Sequence, residues 1–393
     1  MNKLPSLARA KFLRVPSLQN LLAVLNGEGE AMVAGGAVRN ALLKIPVADV
    51  DIATTLPPDR VIALSLAAGF AAHPTGLEHG TVTVVVDHAP YEVTTLRRDV
   101  ETDGRRAKVQ YTDDWAADSQ RRDFTMNALY CDARGKLYDF STGYRDLLRK
   151  RVRFVGEPTL RIKEDYLRIL RFFRFHARFG SGTPDKTGLA ACNRLRKGLD
   201  GLSAERIHQE LLKLLAAPGA VATLKVMARG GILARVLPYT EDWRVIGRLP
   251  PDPLLRLFVL AREPAGLQSR LRLSNTEAAR LAAMARNPSP TLALRPMEQK
   301  VLLHMLGVEG WRDAVQLARA RSRASLNDRA WTRLLRLPDR WDIPAFPLTG
   351  HDLIASGMAP GPELGQVLRR LEDWWVASGF TASKAELLAR RNA

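Results

Sequence analysis

The chain has 393 residues, too many for one ordinary hydrophobic core, so two to four domains are expected. Its 46% hydrophobic and 25% charged content is that of a soluble globular protein, and no uninterrupted apolar run is long enough to cross a bilayer, which argues against a membrane partner. The net charge of +18 is uneven: residues 1–150 hold 19 Lys and Arg against 18 Asp and Glu, residues 151–393 hold 40 against 23.

That imbalance predicts a polyanion gripped by the second part while chemistry occurs in the first. A general preference for Arg on solvated helices accounts for the Arg/Lys ratio but not for the missing acid. Two cysteines, Cys131 and Cys192, make no disulfide framework and no Cys-x-x-Cys zinc pattern. They fit a reducing cytosol, so a cytoplasmic protein is expected. Residues 1–25 carry Lys3, Arg9, Lys11 and Arg14 without an acid, as some organelle-targeting segments do. The helical spacing of Leu18, Leu21, Leu22 and Leu25 favours instead a first amphipathic helix packed beside Met32-Val33.

Residues 33–51 follow. An apolar run ends in Gly35-Gly36, a helix start carries Val38-Arg39-Asn40, and a strand then brings Asp49-Val50-Asp51. Alternation along that strand would point Asp49 and Asp51 the same way, with Val50 and Ile52 facing the core. Adjacent carboxylates repel unless a cation sits between them, and two hard oxygen ligands suit Mg²⁺ held together with nucleotide phosphates. Glycines let backbone approach a phosphate chain. Alone, the Gly pair is a turn and the Asp pair a solvated strand edge. Together they suit metal-assisted nucleotidyl transfer.

Further strands are expected at 31–33, 50–53, 81–86, 91–95 and 128–131, with 87–90 closing a hairpin. Glu92 on the second arm is either a third carboxylate for the same metal site or a solvent-facing edge residue. Residues 97–108 are charged and aperiodic and read as a mobile loop, closing over substrate or merely connecting. Arg121-Arg122-Asp123-Phe124-Thr125-Met126-Asn127-Ala128 is a dense set of donors and acceptors for phosphates, a ribose hydroxyl and a neighbouring helix. Beyond residue 144 the strand signals fade, and helices separated by Pro/Gly breaks are expected.

Residues 164–175 read as one helix on which Asp165 and Arg168 share a face. They form either a helix-stabilising ion pair or a base-reading pair. A carboxylate accepts from the amino group of C or A and an Arg donates to the same edge, while U and G present a carbonyl there and are refused. Glu205-Arg206-Ile207-His208-Gln209-Glu210-Leu211 opens another helix, with Ser203 as its expected N-cap; it should brace the preceding helix.

Motif by motif, the chain resembles a class II CCA-adding enzyme, of the tRNA nucleotidyltransferase and bacterial poly(A) polymerase family. Five regions stand in family order: Gly35-Gly36-x-Val38-Arg39 with Asp49-x-Asp51; residues 121–128; residues 132–139; residues 164–168; and Glu205-Arg206 with Glu210-Leu211. Residues 349–354 with Gly361-Pro362 resemble its C-terminal segment. The likeness is specific over about residues 28–215 and general beyond. It implies an α+β fold: a polymerase-β-like nucleotidyltransferase head of mixed sheet and helices over residues 1–143. A helical neck for base recognition (144–215), a helical RNA-binding body (216–340) and a tRNA-binding tail (341–393) would follow.

The resemblance implies catalytic roles for Asp49 and Asp51, with Mg²⁺ on both; Glu92 stands beside them as a catalytic candidate from its place on the hairpin arm. It implies nucleotide binding by Gly35, Gly36, Arg39, Arg121, Asp123, Asn127, Asp165, Arg168 and Arg171. The implied reaction is template-independent addition of C, C and A to the tRNA 3′ end from CTP and ATP, by two-metal nucleotidyl transfer with release of pyrophosphate. Alternatives are a poly(A) polymerase, an enzyme adding only the terminal A, an inactive RNA-binding protein, or a small-molecule nucleotidyltransferase that would not need the basic helices. Oligomeric state is left open. Two positions depart from the family: Asn40 stands where an Asp is usual, dropping a charge beside Arg39, and Lys44 stands where a turn Gly is usual. His351-Asp352 has no accompanying ligands and reads as structural.

Overall fold

The computed structural model describes residues 4–103, 106–325 and 327–391. Its contacts group into two units, residues 1–238 and 239–393.

In the first unit, helix α1 (Pro16–Leu25) begins with proline at its first position and buries Leu18, Leu21, Leu22 and Leu25 along one stripe. Upstream, Leu7 is buried and its N–H donates to the Gly135 carbonyl at 2.8 Å, so part of the basic N-terminal stretch lies on the fold; Lys3 is outside the described residues. Asn26 turns the chain: its Nδ2 donates to Leu22 O (2.7 Å) and its Oδ1 accepts from Ala31 N (2.9 Å). Strand β1 (Ala31–Ala34) is buried throughout. Then come α2 (Gly36–Leu42), β2 (Asp51–Thr54), α3 (Pro58–Ala67), β3 (Ala71–Gly76), β4 (Thr81–Val86) and β5 (Ala89–Thr95). Two-residue periodicity makes β4 legible, with Val82, Val84 and Val86 inside. Asp87 and His88, at φ 49° and 64°, close the β4–β5 hairpin with the left-handed pair that a primed turn requires.

Residues 97–108 differ from the expected loop. They pair as β6 (Arg97–Asp103) and β7 (Arg106–Tyr111), a separate two-stranded ribbon; Gly104 and Arg105 are outside the described residues. Helix α4 (Trp115–Gln120) is capped by Asp114, whose Oδ1 accepts from Ala116 N and Ala117 N. Strands β8 (Leu129–Cys131) and β9 (Leu137–Asp139) complete a seven-stranded sheet in the order β3-β4-β5-β2-β1-β8-β9. Strands β2 and β5 run parallel; the other described pairings in this sheet are antiparallel. Sequence patterning missed β3, which is mostly exposed and holds Pro74, and the three-residue β9.

The rest of the unit is helical, as expected: α5 (Gly143–Leu148), α6 (Pro158–Glu164), α7 (Leu167–Phe179), α8 (Lys186–Leu195), α9 (Ala204–Leu215) and α10 (Ala220–Arg229). Phe124, from the segment before β8, lies against Phe154, Phe172 and Phe175, with ring centroids 5.0, 6.3 and 5.1 Å away. This aromatic cluster fixes α7 against the sheet-bearing part. The second unit is helical too. One apolar core gathers around Trp311 and Trp331, another around Leu353, Leu371 and Trp375. Asp352 caps its own helix through Thr349 and pairs with Lys384 at 2.6 Å, a structural role.

Candidate active site

A cleft of about 460 Å³ opens in the first unit, where β1–α2, β2, the segment before β8, and α7 converge. Gly35, Gly36, Arg39, Asp51, Arg121, Asp123, Asn127, Asp165, Arg168 and Arg171 all line it, together with Arg122, Phe175 and Arg206. Of the residues singled out in the sequence, Asp49 and Glu92 are not on its wall.

Gly35 sits at φ 69°, a backbone conformation glycine adopts cheaply. A Cβ there would also press on Arg122 Nη1 at 3.3 Å. Downstream, Asp51 is the first residue of β2; Asp49 precedes the strand and is exposed, so strand alternation is not what relates the two. The parallel ladder sets Glu92 beside Asp51 in register. Crowding by surrounding protein raises the Asp51 pKa, Glu92 raises it further, Arg122 opposes the rise, and Asp49 adds to it. Among the described residues no three His, Cys, Asp or Glu side chains converge closely enough to hold a metal unaided. A carboxylate with a second one beside it nevertheless forms a negative, oxygen-only donor set, the kind that takes a hard divalent cation when substrate phosphates complete the shell.

Asp118 was not anticipated. It is 0% exposed and forms the hub of the cleft's basic wall. Its Oδ1 accepts from Arg121 Nε (2.7 Å), and its Oδ2 accepts from the Tyr130 hydroxyl (2.7 Å) and Arg122 Nη2 (3.2 Å). Burial would raise its pKa, but Arg122 and Arg121 hold it down. The signal was present: Asp118 stands three and four residues before the two arginines, the spacing of helix-surface partners.

A relay crosses the floor. Arg39 Nη1 donates to Asn127 Oδ1 (2.5 Å), Asn127 Nδ2 donates to Asp123 Oδ1 (3.0 Å), and Arg171 Nε donates to Asp123 Oδ2 (3.0 Å). Burial alone would raise the Asp123 pKa; Arg171, Asn127 and the Phe124 N–H overcome it and hold the group at about 2. Burial lowers Arg39 to about 10 despite Asp123, with Arg174, Arg178 and Arg171 pushing the same way. Its guanidinium stacks 4.3 Å from the Phe179 ring centroid and gives two hydrogen bonds to Asn40 Oδ1 (3.1 and 2.9 Å). Asn40 therefore keeps the shape of the usual Asp without its charge. Lys44 adopts φ 57°, the turn conformation for which glycine is usual.

The single helix expected over 164–175 is broken. Asp165 is extended (φ −156°) between α6 and α7. No Pro or Gly marks the break, and the apolar period runs through it. The Asp165 and Arg168 side chains do not pair with each other; only the Arg168 N–H meets the Asp165 carbonyl, at 3.0 Å. Asp165 Oδ2 accepts from Arg206 Nη2 on α9 (2.7 Å), and Oδ1 accepts from Leu167 N (3.1 Å). Arg168 Nη1 donates to the Arg161 carbonyl (2.8 Å) and to Glu164. Ser203 holds the N-cap position of α9 but makes no side-chain cap bond. Glu210, further along α9, accepts from Arg174 Nε at 2.5 Å and so ties α9 to α7.

Residues 31–153 match the family described as Poly A polymerase head domain, and residues 183–244 match the Probable RNA and SrmB- binding site of polymerase A. The chain is 36% identical to the mitochondrial CCA tRNA nucleotidyltransferase 1 of Danio rerio, over 92% of this chain and 86% of that protein. It is 29% identical to the CCA-adding enzyme of Bacillus cereus (strain Q1), over 94% and 96%. The crystal structure of the Bacillus stearothermophilus CCA-adding enzyme in complex with CTP superposes with a TM-score of 0.78 at 27% identity, covering 96% and 97% of the two chains. The chain belongs to the class II CCA-adding enzymes. Its sheet-bearing part is accordingly the polymerase-β-like head of that family, and its α+β fold is the one expected from the motifs. Among the described residues, no helix is long and apolar enough to cross a membrane.

Proposed function

We propose that this CCA-adding enzyme extends the 3′ end of tRNA with C, C and A from CTP and ATP, reading each base with protein side chains. The observation carrying the reading is one cleft that joins Asp51 to Asp165 and Arg168. In this reading Asp51 and Asp49 hold Mg²⁺, with Glu92 adjoining. One ion held there would lower the pKa of the terminal 3′-OH, and a second would neutralise the triphosphate and the leaving pyrophosphate. Gly35 and Gly36 admit the triphosphate, Arg121 and Arg122 offset its charge, and Asp123 with Asn127 receives the sugar. Asp165 accepts from the amino group of C or A. Both described side-chain bonds of Arg168 use Nη1, leaving Nε and Nη2 for the same base edge. Arg206 and the Leu167 N–H hold the Asp165 carboxylate aimed, so a carbonyl in the amino position meets another acceptor and is refused.

The divisions at residues 143/144, 215/216 and 340/341 into head, neck, body and tail, and a cytoplasmic setting suited to two unbridged thiols, belong to the same proposal. The test is tRNA lacking its last three nucleotides, incubated with each triphosphate. Two residues from CTP alone and then one from ATP establish the activity. Addition of A only, or of an open-ended A tail, overturns it in favour of the related polymerases.

A further inference from the structure

A second cavity, about 530 Å³, opens in the helical part of the first unit and shares no lining residue with the nucleotide cleft. Its walls carry Arg149, Lys150 and Arg151 after α5, Ser181 and Thr183 after α7, and Lys186 at the start of α8. Helix α7 serves both cavities. Phe175 lines the cleft and His176, about 100° further round the helix, lines this one.

The charge in this pocket is unbalanced. Asp185 is its one acid, and that carboxylate is buried, accepts from Arg151 Nη2 at 2.6 Å and caps α8. No carboxylate among the described residues pairs with the exposed cations Arg149, Lys150 and Lys186. Lys150 is held at φ 50°, a left-handed conformation that costs any residue with a Cβ, while its carbonyl accepts from Ser181 N at 3.1 Å. Three like charges in one concavity repel until an anion joins them. The surroundings agree. Residues 151–238 hold 17 Lys and Arg against seven Asp and Glu, a balance of +10, whereas residues 239–393 hold 23 against 16, a balance of +7.

We propose that this pocket takes a backbone phosphate of the RNA substrate, outside the cleft where the 3′ end reacts. Ammonium groups and hydroxyls bind phosphate without reading bases, so the site fixes the position of the RNA and carries no sequence preference. The proposal rests on the reading that RNA is the substrate. A free phosphate ion offers the same chemistry, and the experiment separates the two.

In the full-length protein, Arg149→Ala, Lys150→Ala and Lys186→Ala are combined, all at exposed positions away from the cleft. Binding of tRNA lacking CCA is followed against salt concentration, without nucleotide. The expected result is at least about tenfold weaker binding at 0.1 M salt and a log–log slope lowered by roughly 0.7–0.9, the share of one lost phosphate contact. The KM for CTP and kcat at saturating tRNA should stay within about twofold. Unchanged tRNA affinity and slope would overturn the proposal. So would calorimetric binding of inorganic phosphate that the variant loses while its tRNA affinity stays intact. If the unaltered protein neither binds nor extends tRNA, the proposed function fails; if it does both and the variant binds as tightly, only this pocket assignment fails.

Discussion

The helical segment of the first unit and the whole second unit use charge differently. Around the cleft, Arg171 bridges Asp123 and Glu210, Arg174 reaches Glu210, and Arg206 reaches Asp165, with the carboxylates largely buried. The second unit is built on tryptophan-centred apolar cores. Its main buried ionic knot is Arg280, which donates to Asp313 Oδ1 (2.7 Å) and Asp252 Oδ2 (2.9 Å). Buried ion pairs roughly break even against apolar packing, so stability does not explain gathering so many in one place. Around the cleft they set the direction of donors and acceptors. In the second unit the knot joins elements of one helical core.

The first way to break this contrast is at Asp51. Asp51→Ala should lower CMP incorporation by at least about 10³-fold, because a site designed around developing charge loses its ligand. Binding of tRNA should be nearly unchanged. Labelled-nucleotide incorporation and a binding titration measure both, and substantial residual turnover would remove the metal assignment.

Arg280→Ala tests the other side. It strands the buried Asp313, so the second unit should lose about 3 kcal/mol in denaturant unfolding. The KM for CTP should not change. A rise in that KM would show the knot serving the cleft after all.

Base choice should respond next. Asp165→Ala should reduce discrimination against UTP and GTP by about 10²-fold, measured as the ratio of kcat/KM values. Arg206→Ala leaves the carboxylate with its Leu167 N–H, so about a tenfold loss is expected. Equal effects on all four triphosphates would mean that neither residue reads the base.

Acid should expose the relay at Asp123. An ordinary Asp titrates near 3.9 and this one at about 2, so its folded form binds protons less readily than its unfolded form. Its stabilising contribution, about 2 kcal/mol, is fully present above about pH 4 and is lost as pH falls toward 2. Asp123→Asn should flatten that part of the stability–pH curve; an unchanged curve would place the acid sensitivity elsewhere.

How far these features were legible follows from their physics. Gly35-Gly36 and the Val82–Val84–Val86 alternation are local patterns, and the turn and strand appear where the sequence puts them. The strands β3 and β6 gave no such signal, since neither alternates apolar with polar residues; β7 does alternate, with Ala107, Val109 and Tyr111 between Arg106, Lys108 and Gln110, but its start is continuous with the charged run before it. The break at Asp165 was hidden by apolar periodicity continuing from α6 into α7. What holds the residue extended is tertiary, the Arg206 contact 41 positions away. Asp118 was overlooked for the same reason: its burial against Tyr130 depends on a strand that follows it. The chemistry-bearing residues were legible by type and spacing, and the partners that aim them were not.

The smallest expected effect concerns Asn40. Its Oδ1 already receives two hydrogen bonds from Arg39, so Asn40→Asp places a carboxylate oxygen into existing geometry. A charge-assisted bond exceeds a neutral one, but Asn40 is partly solvated, which limits the gain to about 0.5–1 kcal/mol. For a unit of this size that is a rise in Tm of roughly 1–4 °C. Drawing Arg39 toward residue 40 also competes with its bond to Asn127, so the KM for CTP should rise slightly, by less than about threefold. A higher Tm with an unchanged KM would show that Arg39 tolerates the charge without passing it along the relay. A lower Tm would mean that burial disfavours a second charge there, and that Asn40 is the better partner in this chain.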